Sequence, residues 1–319
     1  MTDLKPGILL WSQGASWAEM LDAAKRVDRL GYTHLWTWDH LYAIFGDPYQ
    51  PIFEGWSLLA AWARETTQTR LGLLVGANTF RNPGLVAKTA ATLDHVSDGR
   101  AILGIGGAWF DLEHEAHGID FGTGFGQRLD WLHESVGAMR AVLDGGSVTS
   151  EAGGRYAFDD LRHQPLPVQP RLPIMIGGSG EKKTLRTVAT YADMWNAMGP
   201  VDVMAHKIEV LRGHCDAVGR DIGEIEFTLG MKLTIRDSKA EARRVRDAAM
   251  VHNRTPDSDV EDDDTFWEGS PEEIADRLRP YVALGFETVI SEQPAPYDDE
   301  TLERFIGQVK PLVDAGSTR

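Results

Sequence analysis

The chain has 319 residues and sets 48 acidic side chains against 32 basic ones, a formal charge of −16. Such a surface repels nucleic acid and anionic lipid, so neither is expected as a partner. Cys215 is the only cysteine, which excludes an intrachain disulfide and fits a reducing, cytoplasmic setting. The hydrophobic share of 42% is ordinary for a globular protein. No apolar run approaches the ~20 residues of a membrane span, and Met1 to Gly7 lacks the basic-then-apolar layout of a signal peptide.

Short apolar runs alternate with helical periodicity along the whole chain. Gly7 to Leu10 reads as a first strand. Ser16 with Glu19 three residues on has the form of a capping box and opens a helix to about Leu30, ended by Gly31. Strand two is Thr33 to Thr37, and the next helix is Gly55 to Thr67. Strand three, Leu71 to Ala77, leads to a helix that starts at Pro83 and runs to about Val96. Strand four is Ala101 to Gly106. Residues 107–125 break the rhythm before a helix over Gln127 to Leu143, and 145–162 read as a β-hairpin. Strand five, Leu172 to Ile176, enters Gly177-Gly178-Ser179-Gly180 and a helix to Tyr191. Strand six is Asp193 to Met198, followed by a helix from Asp202 to Val218. Strand seven lies within Ile225 to Arg236, with a helix over Ser238 to Met250. After an acidic stretch, Thr255 to Thr265, come a helix (Pro271 to Leu284), strand eight (Glu287 to Ser291) and a last helix (Glu300 to Ala315).

Eight strand–helix units in this length imply an α/β fold, a (β/α)8 TIM barrel, as one domain over 1–319 with insertions near 107–125, 145–162 and 251–268. A doubly wound open sheet fits less well, because the first strand–helix turn lacks a G-x-G-x-x-G.

In a barrel, the C-terminal ends of the strands form the mouth where chemistry is done. Asp39-His40 sits there after strand two, an ionisable ring beside a carboxylate. Gly76 and Asn78 after strand three, and Gly106, Gly107 and Trp109 after strand four, fall at the same level. Small residues there let a flat ligand approach the backbone, and Asn78 can serve a ring edge or simply satisfy the turn. Gly177 to Gly180 joins a strand to a helix, so its N–H groups suit an anion, and Lys182 and Lys183 follow; a plain glycine-rich turn is the alternative. Glu113, His114 and His117 have metal-ligand chemistry, but the zinc-protease H-E-x-x-H spacing is absent, so no metal is expected. Asp262-Asp263-Asp264 reads as a solvated loop or a flexible lid edge. Trp11, Trp109, Glu113 and His117 are candidates for the substrate pocket.

The stretches WSQGASWAEMLDAAKRVDRLGYTHLWTWDHL, LGLLVGANTFRNPGLVAKTAATLDHVSDGRAILGIGGAWFDLEHEAHGI, IMIGGSGEKKTLRTVATYADMWN and GSPEEIADRLRPYVALGFE together resemble the luciferase-like monooxygenase superfamily, and more closely its branch dependent on the deazaflavin coenzyme F420. The resemblance implies a (β/α)8 barrel with a deazaflavin across its mouth. It implies a proton-transfer role for His40 and an accompanying role for Asp39, which would hydrogen-bond His40 or the cofactor. It also implies a non-proline cis peptide at Leu74-Val75 behind the ring system, a loop beside the ring at Gly106 and Gly107, and a phosphate-holding loop at Gly177, Gly178 and Ser179. Where sugar-phosphate dehydrogenases of the branch carry a catalytic Glu after strand four, this chain has Trp109. The acid role is then vacant, or filled by Glu113 or by the substrate. The function expected is hydride transfer between F420 and a small organic substrate. The alternatives are an FMN-dependent monooxygenase of the same fold and a non-catalytic flavin-binding protein. The resemblance also suggests a homodimer.

Overall fold

A computed structural model describes residues 3–150, 153–255 and 264–316. Eight parallel staves close into a cylinder. In chain order the strands are β1 (Lys5–Leu10), β2 (His34–Thr37), β3 (Arg70–Leu73) continued by the two-residue β4 (Gly76–Ala77), β5 (Ala101–Gly106), β6 (Ile174–Gly177), β7 (Met194–Ala197), β8 (Glu226–Ile235), β9 (Phe266–Gly269) and β10 (Phe286–Gln293). Each stave pairs with the next, and β10 pairs with both β1 and β8, so the sheet has no free edge among these staves. β9 is an extra strand outside the cylinder, paired with the far half of β8 from Lys232 to Ile235.

The helices pack outside: α1 (Trp17–Leu30), α2 (Gly55–Glu65), α3 (Pro83–Val96), α4 (Asp111–His117), α5 (Phe125–Leu143), α6 (Thr184–Tyr191), α7 (Val201–Val218), α8 (Lys239–His252), α9 (Pro271–Ala283), α10 (Asp299–Arg304) and α11 (Lys310–Gly316), with a π turn at Phe305–Val309 between the last two. Local signals set several boundaries. The Ser16–Glu19 capping box opens α1, and Gly31 closes it in a left-handed conformation. Asn82 caps α3 with Pro83 in its first turn. A second capping box, Ser270–Glu273, opens α9.

Two apolar layers result. Between staves and helices lies the large core, with Leu35, Trp62, Ile176, Trp195 and Phe286 among its members. Inside the cylinder, Leu9, Trp11, Trp36, Ile102, Met175 and Ile290 fill the space, so the barrel is packed rather than hollow below its mouth. Cys215 is buried in α7, a small apolar residue there.

Four sequence expectations change. Strand three is not continuous but two short strands, β3 and β4, on either side of the cis Leu74–Val75 peptide that the resemblance implied. The 107–125 insertion contains the helix α4, whose inward side is polar: Glu113 and His114 are buried. A seven-residue helix that buries charged residues leaves no amphipathic pattern to read. The 145–162 segment makes a single bridge, Val148 with Leu161, instead of a ladder. The 251–268 insertion contributes β9. In its acidic run, Asp262 and Asp263 lie outside the described residues. Among the described residues, no helix is long and apolar enough to cross a membrane.

Candidate active site

A cavity of about 500 Å³ opens at the C-terminal ends of the staves, a usual size for a cofactor or small-molecule site. Its wall contains Asp39, His40, Leu74, Val75, Gly76, Gly106, Gly107, Trp109, Glu113, Gly177, Gly178 and Ser179, all singled out from the sequence. It also contains residues the sequence gave no reason to choose, among them Phe45, Phe125, Asn196, Met198, Lys232 and Glu292.

His40 is oriented by Glu113, not by its neighbour in sequence. Nδ1 lies 3.0 Å from Oε1 of Glu113, and Oε2 accepts the Leu41 backbone N–H at 2.8 Å. The Glu113 carboxylate is almost fully buried, whereas the imidazole retains some exposure. A carboxylate only accepts, so Nδ1 carries the proton of this bond and Nε2 is left available to the cavity. Trp38 and Trp109 meet the ring edge-on, with centroids at 6.2 and 5.5 Å.

Asp39 is turned elsewhere, so of the two partners expected for it, His40 or the cofactor, His40 is not one. Successive side chains of an extended segment point to opposite faces. The Asp39 carboxylate accepts both N–H···O bonds from the Nη1 atom of Arg81, at 2.9 and 2.7 Å, and the Ala77 backbone N–H at 2.9 Å. Arg81 in turn reaches Glu54, the N-cap of α2, at 2.8 Å. Burial pushes the Asp39 carboxyl up and Arg81 pulls it down. Two bonds to one guanidinium nitrogen and a third from a backbone amide favour the ionised form, and the pair holds Arg81 firmly charged. Asp39 thus fastens β4 to the end of β2.

Val75 lies across the ends of the neighbouring staves. A Cβ on Gly106 would stand 2.7 Å from Val75 Cγ2, and one on Gly177 would stand 3.0 Å from both Val75 methyl groups. Glycine at these two positions is what allows the Val75 side chain to form that part of the wall. The following loop turns at Gly178, where φ is +114°. Its N–H is already donated to Asn196 O at 3.0 Å, and its carbonyl accepts the Trp195 indole N–H at 2.8 Å. The Ser179 and Gly180 N–H groups find no acceptor among the described residues.

Four candidates lie off the cavity wall. Trp11 is fully buried. It stacks beneath Phe45 at 4.2 Å and donates its indole N–H to Glu292 at 3.1 Å, so it supports the wall from behind. Asn78 is buried below the rim, with its backbone N–H on Gly106 O and no partner for its amide nitrogen. Gly180 lies just beyond the wall, against Thr184. His117 shares a hydrogen bond with the Glu113 carbonyl one turn back and packs on Tyr42. Lys183 differs from expectation too: α6 begins at Thr184, and the Lys183 ammonium is drawn to Asp130 and the Gly126 carbonyl. His114, the remaining metal candidate, donates from Nδ1 to Phe110 O at 2.7 Å and accepts the Thr79 hydroxyl at Nε2 at 2.6 Å. Burial depresses its pKa and keeps the ring neutral. No group of three or more potential metal ligands occurs among the described residues.

Comparison with known proteins adds family and fold. An uncharacterized protein of Mycobacterium tuberculosis is 32% identical over 176 residues, 55% of this chain and 60% of that protein, so the chain spans less than two thirds of the length of the first relatives it matches. An F420-dependent glucose-6-phosphate dehydrogenase of Kineococcus radiotolerans is 26% identical over 92% of this chain and 93% of its own length. An F420-dependent secondary alcohol dehydrogenase, solved with an F420-acetone adduct, superposes with a TM-score of 0.84 at 17% identity, over 98% of this chain and 99% of that one. A Baeyer-Villiger monooxygenase component from Pseudomonas putida, in complex with FMN, shares the fold at a TM-score of 0.72 and 18% identity, over 97% and 99%. The profile of the luciferase-like monooxygenases matches residues 6–288, and the chain belongs to that family.

Proposed function

We propose that the protein is an oxidoreductase that uses the deazaflavin F420, with His40 as the group that moves the proton. The observation that carries this reading is the His40–Glu113 pair: one ring nitrogen is fixed by a buried carboxylate, and the ring itself lines the cavity. The oxidoreductase character follows the family, and the choice of F420 is supported by full-length relatives whose names carry that cofactor.

The residues present suit such a cofactor. The unspent N–H groups of Ser179 and Gly180, just ahead of α6, offer hydrogen bonds to a phosphate. Val75, Gly106, Gly107 and Gly177 form a wall free of bulky polar groups, against which a flat ring system can lie. When bound, the deazaflavin takes up or gives a hydride at its C5. The chain supplies the rest. His40 Nε2 takes a proton from a substrate hydroxyl, or returns one, while the Glu113 carboxylate stabilises the imidazolium that forms. Asp39, through Arg81 and Ala77, keeps the wall of the site in register with β2. Trp109 occupies the place of a catalytic Glu, and Glu113 serves the histidine, so proton transfer rests on one residue.

Titration with F420 and with FMN tests the cofactor, and His40→Ala tests the role. The variant retains cofactor affinity and loses roughly 10²–10⁴-fold in kcat. Full turnover in that variant would remove His40 from the mechanism. Tight FMN binding with oxygen consumption would assign the site to a monooxygenase.

A further inference from the structure

The charge of the cavity wall says what kind of second ligand fits. Among the described residues the wall carries three carboxylates, Asp39, Glu113 and Glu292, against one ammonium, Lys232. Each has a partner inside the protein. Asp39 is held by Arg81, and Glu113 by His40 and Leu41. Glu292 accepts the Trp11 indole N–H. Lys232 donates to the Thr265 hydroxyl at 2.8 Å and lies over the rings of Phe45 and Phe266. A phosphate or carboxylate on a substrate therefore meets an excess of negative charge among the described residues, and Lys232 is already engaged. The amides of Ser179 and Gly180, which suit an anion, are taken by the cofactor in the reading above.

The rim has the opposite character. Trp109 is 59% exposed and Phe125 is 53% exposed, and both line the cavity. Large aromatic faces left to water at a pocket entrance mark a surface that a ligand covers. Trp109 stacks on Phe110 at 5.2 Å and meets His40 at 5.5 Å. A body resting on Trp109 thus brings an attached oxygen close to His40.

We infer that the substrate is an uncharged, largely apolar alcohol or carbonyl compound, its ring or chain seated on Trp109 and Phe125 and its oxygen at His40, and that sugar phosphates are excluded. The inference rests on the redox reading of this site and names its substrate class.

The test is equilibrium binding of 1-indanone and of glucose 6-phosphate to the purified protein, with and without F420, by calorimetry or saturation-transfer NMR. The expected result is saturable binding of 1-indanone and none of glucose 6-phosphate. Trp109→Ala and Phe125→Ala each weaken 1-indanone by about tenfold or more, while Trp109→Phe stays within about threefold of the parent. Tighter binding of glucose 6-phosphate, no saturable binding of 1-indanone, or affinity for 1-indanone indifferent to both alanine variants would overturn the substrate class. F420 titration of the same samples separates the two readings. If 1-indanone binds and F420 does not, the redox reading fails and the substrate class stands. If F420 binds and 1-indanone does not, the substrate class alone fails.

Discussion

At the scale of single residues, the pairing of His40 with Glu113 decides which imidazole nitrogen meets the substrate. Glu113→Gln keeps an acceptor for Nδ1 but removes the negative charge that balances an imidazolium. It is expected to lower kcat by roughly 10–100-fold with little change in KM or cofactor affinity. Glu113→Asp, which keeps the charge on a shorter arm, should recover part of the loss, and Glu113→Ala should recover none. Steady-state kinetics of the three, with circular dichroism to confirm the fold, distinguish a positioning carboxylate from a merely structural one, because packing alone would not rank Asp above Gln. The sequence pointed to His40 because Asp39-His40 ends a strand, but adjacency suggested the wrong carboxylate. Alternation along the extended chain sends Asp39 to Arg81, and the true partner is 73 residues away. A signal existed in the acidic Glu113-His114-Glu115 turn, although its chemistry looked like metal ligation. Lys232 and Glu292 carried no signal, since each is one of several polar residues in its strand and no local pattern sets it apart.

At the scale of elements, the β6–α6 connection concentrates the anion-binding capacity in a few backbone N–H groups. Gly178 holds φ +114°, a region that costs a residue with a side chain about 1–3 kcal/mol. Gly178→Ala should therefore lower Tm modestly and shift the Ser179 and Gly180 amides from their positions. Cofactor affinity should fall by about tenfold or more, equivalent to at least ~1.4 kcal/mol. Equal F420 dissociation constants for the variant and the parent would show that the loop does not hold the phosphate. This loop was legible because glycine between a strand and a helix has a specific backbone meaning. The strand–helix rhythm was legible for the same kind of reason: capping boxes at Ser16 and Ser270 and Pro83 in the first turn of α3 are local rules that the tertiary structure respects. The elements that were missed obey no local rule. No side chain caps α4, and its inward residues are polar. The four residues of β9 find their partner only once β8 has extended beyond the cylinder. Lys183 was overvalued because its pairing with Asp130 is set by how α5 packs beside the loop, which the sequence does not show.

At the scale of the whole molecule, the cylinder divides its labour between two ends: glycine, open amides and the His40 pair at the C-terminal mouth, and charge clamps at the N-terminal base. There Lys5 bridges Glu226 and Glu287 at 2.7 and 3.1 Å, tying β1 to β8 and β10. Next to this clamp His34 begins β2, in register with Gly7 on one side and Arg70 on the other. The ring is buried, its Nδ1 has no hydrogen-bond partner, and burial, with the nearby charges of Arg70 and Lys5, depresses its pKa to about 3. In the unfolded chain the same ring takes up a proton near pH 6.5. Between those two values the unfolded state binds the extra proton and the native state does not, so stability falls as pH drops through that window, by about 1.4 kcal/mol per unit for this one group. Asp28 adds its loss lower down. Hydrogen bonds from Thr67, Gln68 and Thr69 overcome its burial and hold its carboxyl at about 2, so its contribution disappears only as pH falls below the usual carboxylate range. Urea unfolding of the parent and of His34→Leu at pH 7.5, 6 and 5 separates these effects. The parent should lose about 2 kcal/mol more than the variant between pH 7.5 and pH 5, whatever the two stabilities are at neutral pH. Parallel pH dependences would mean that His34 is not the group that makes the base of the barrel sensitive to mild acid.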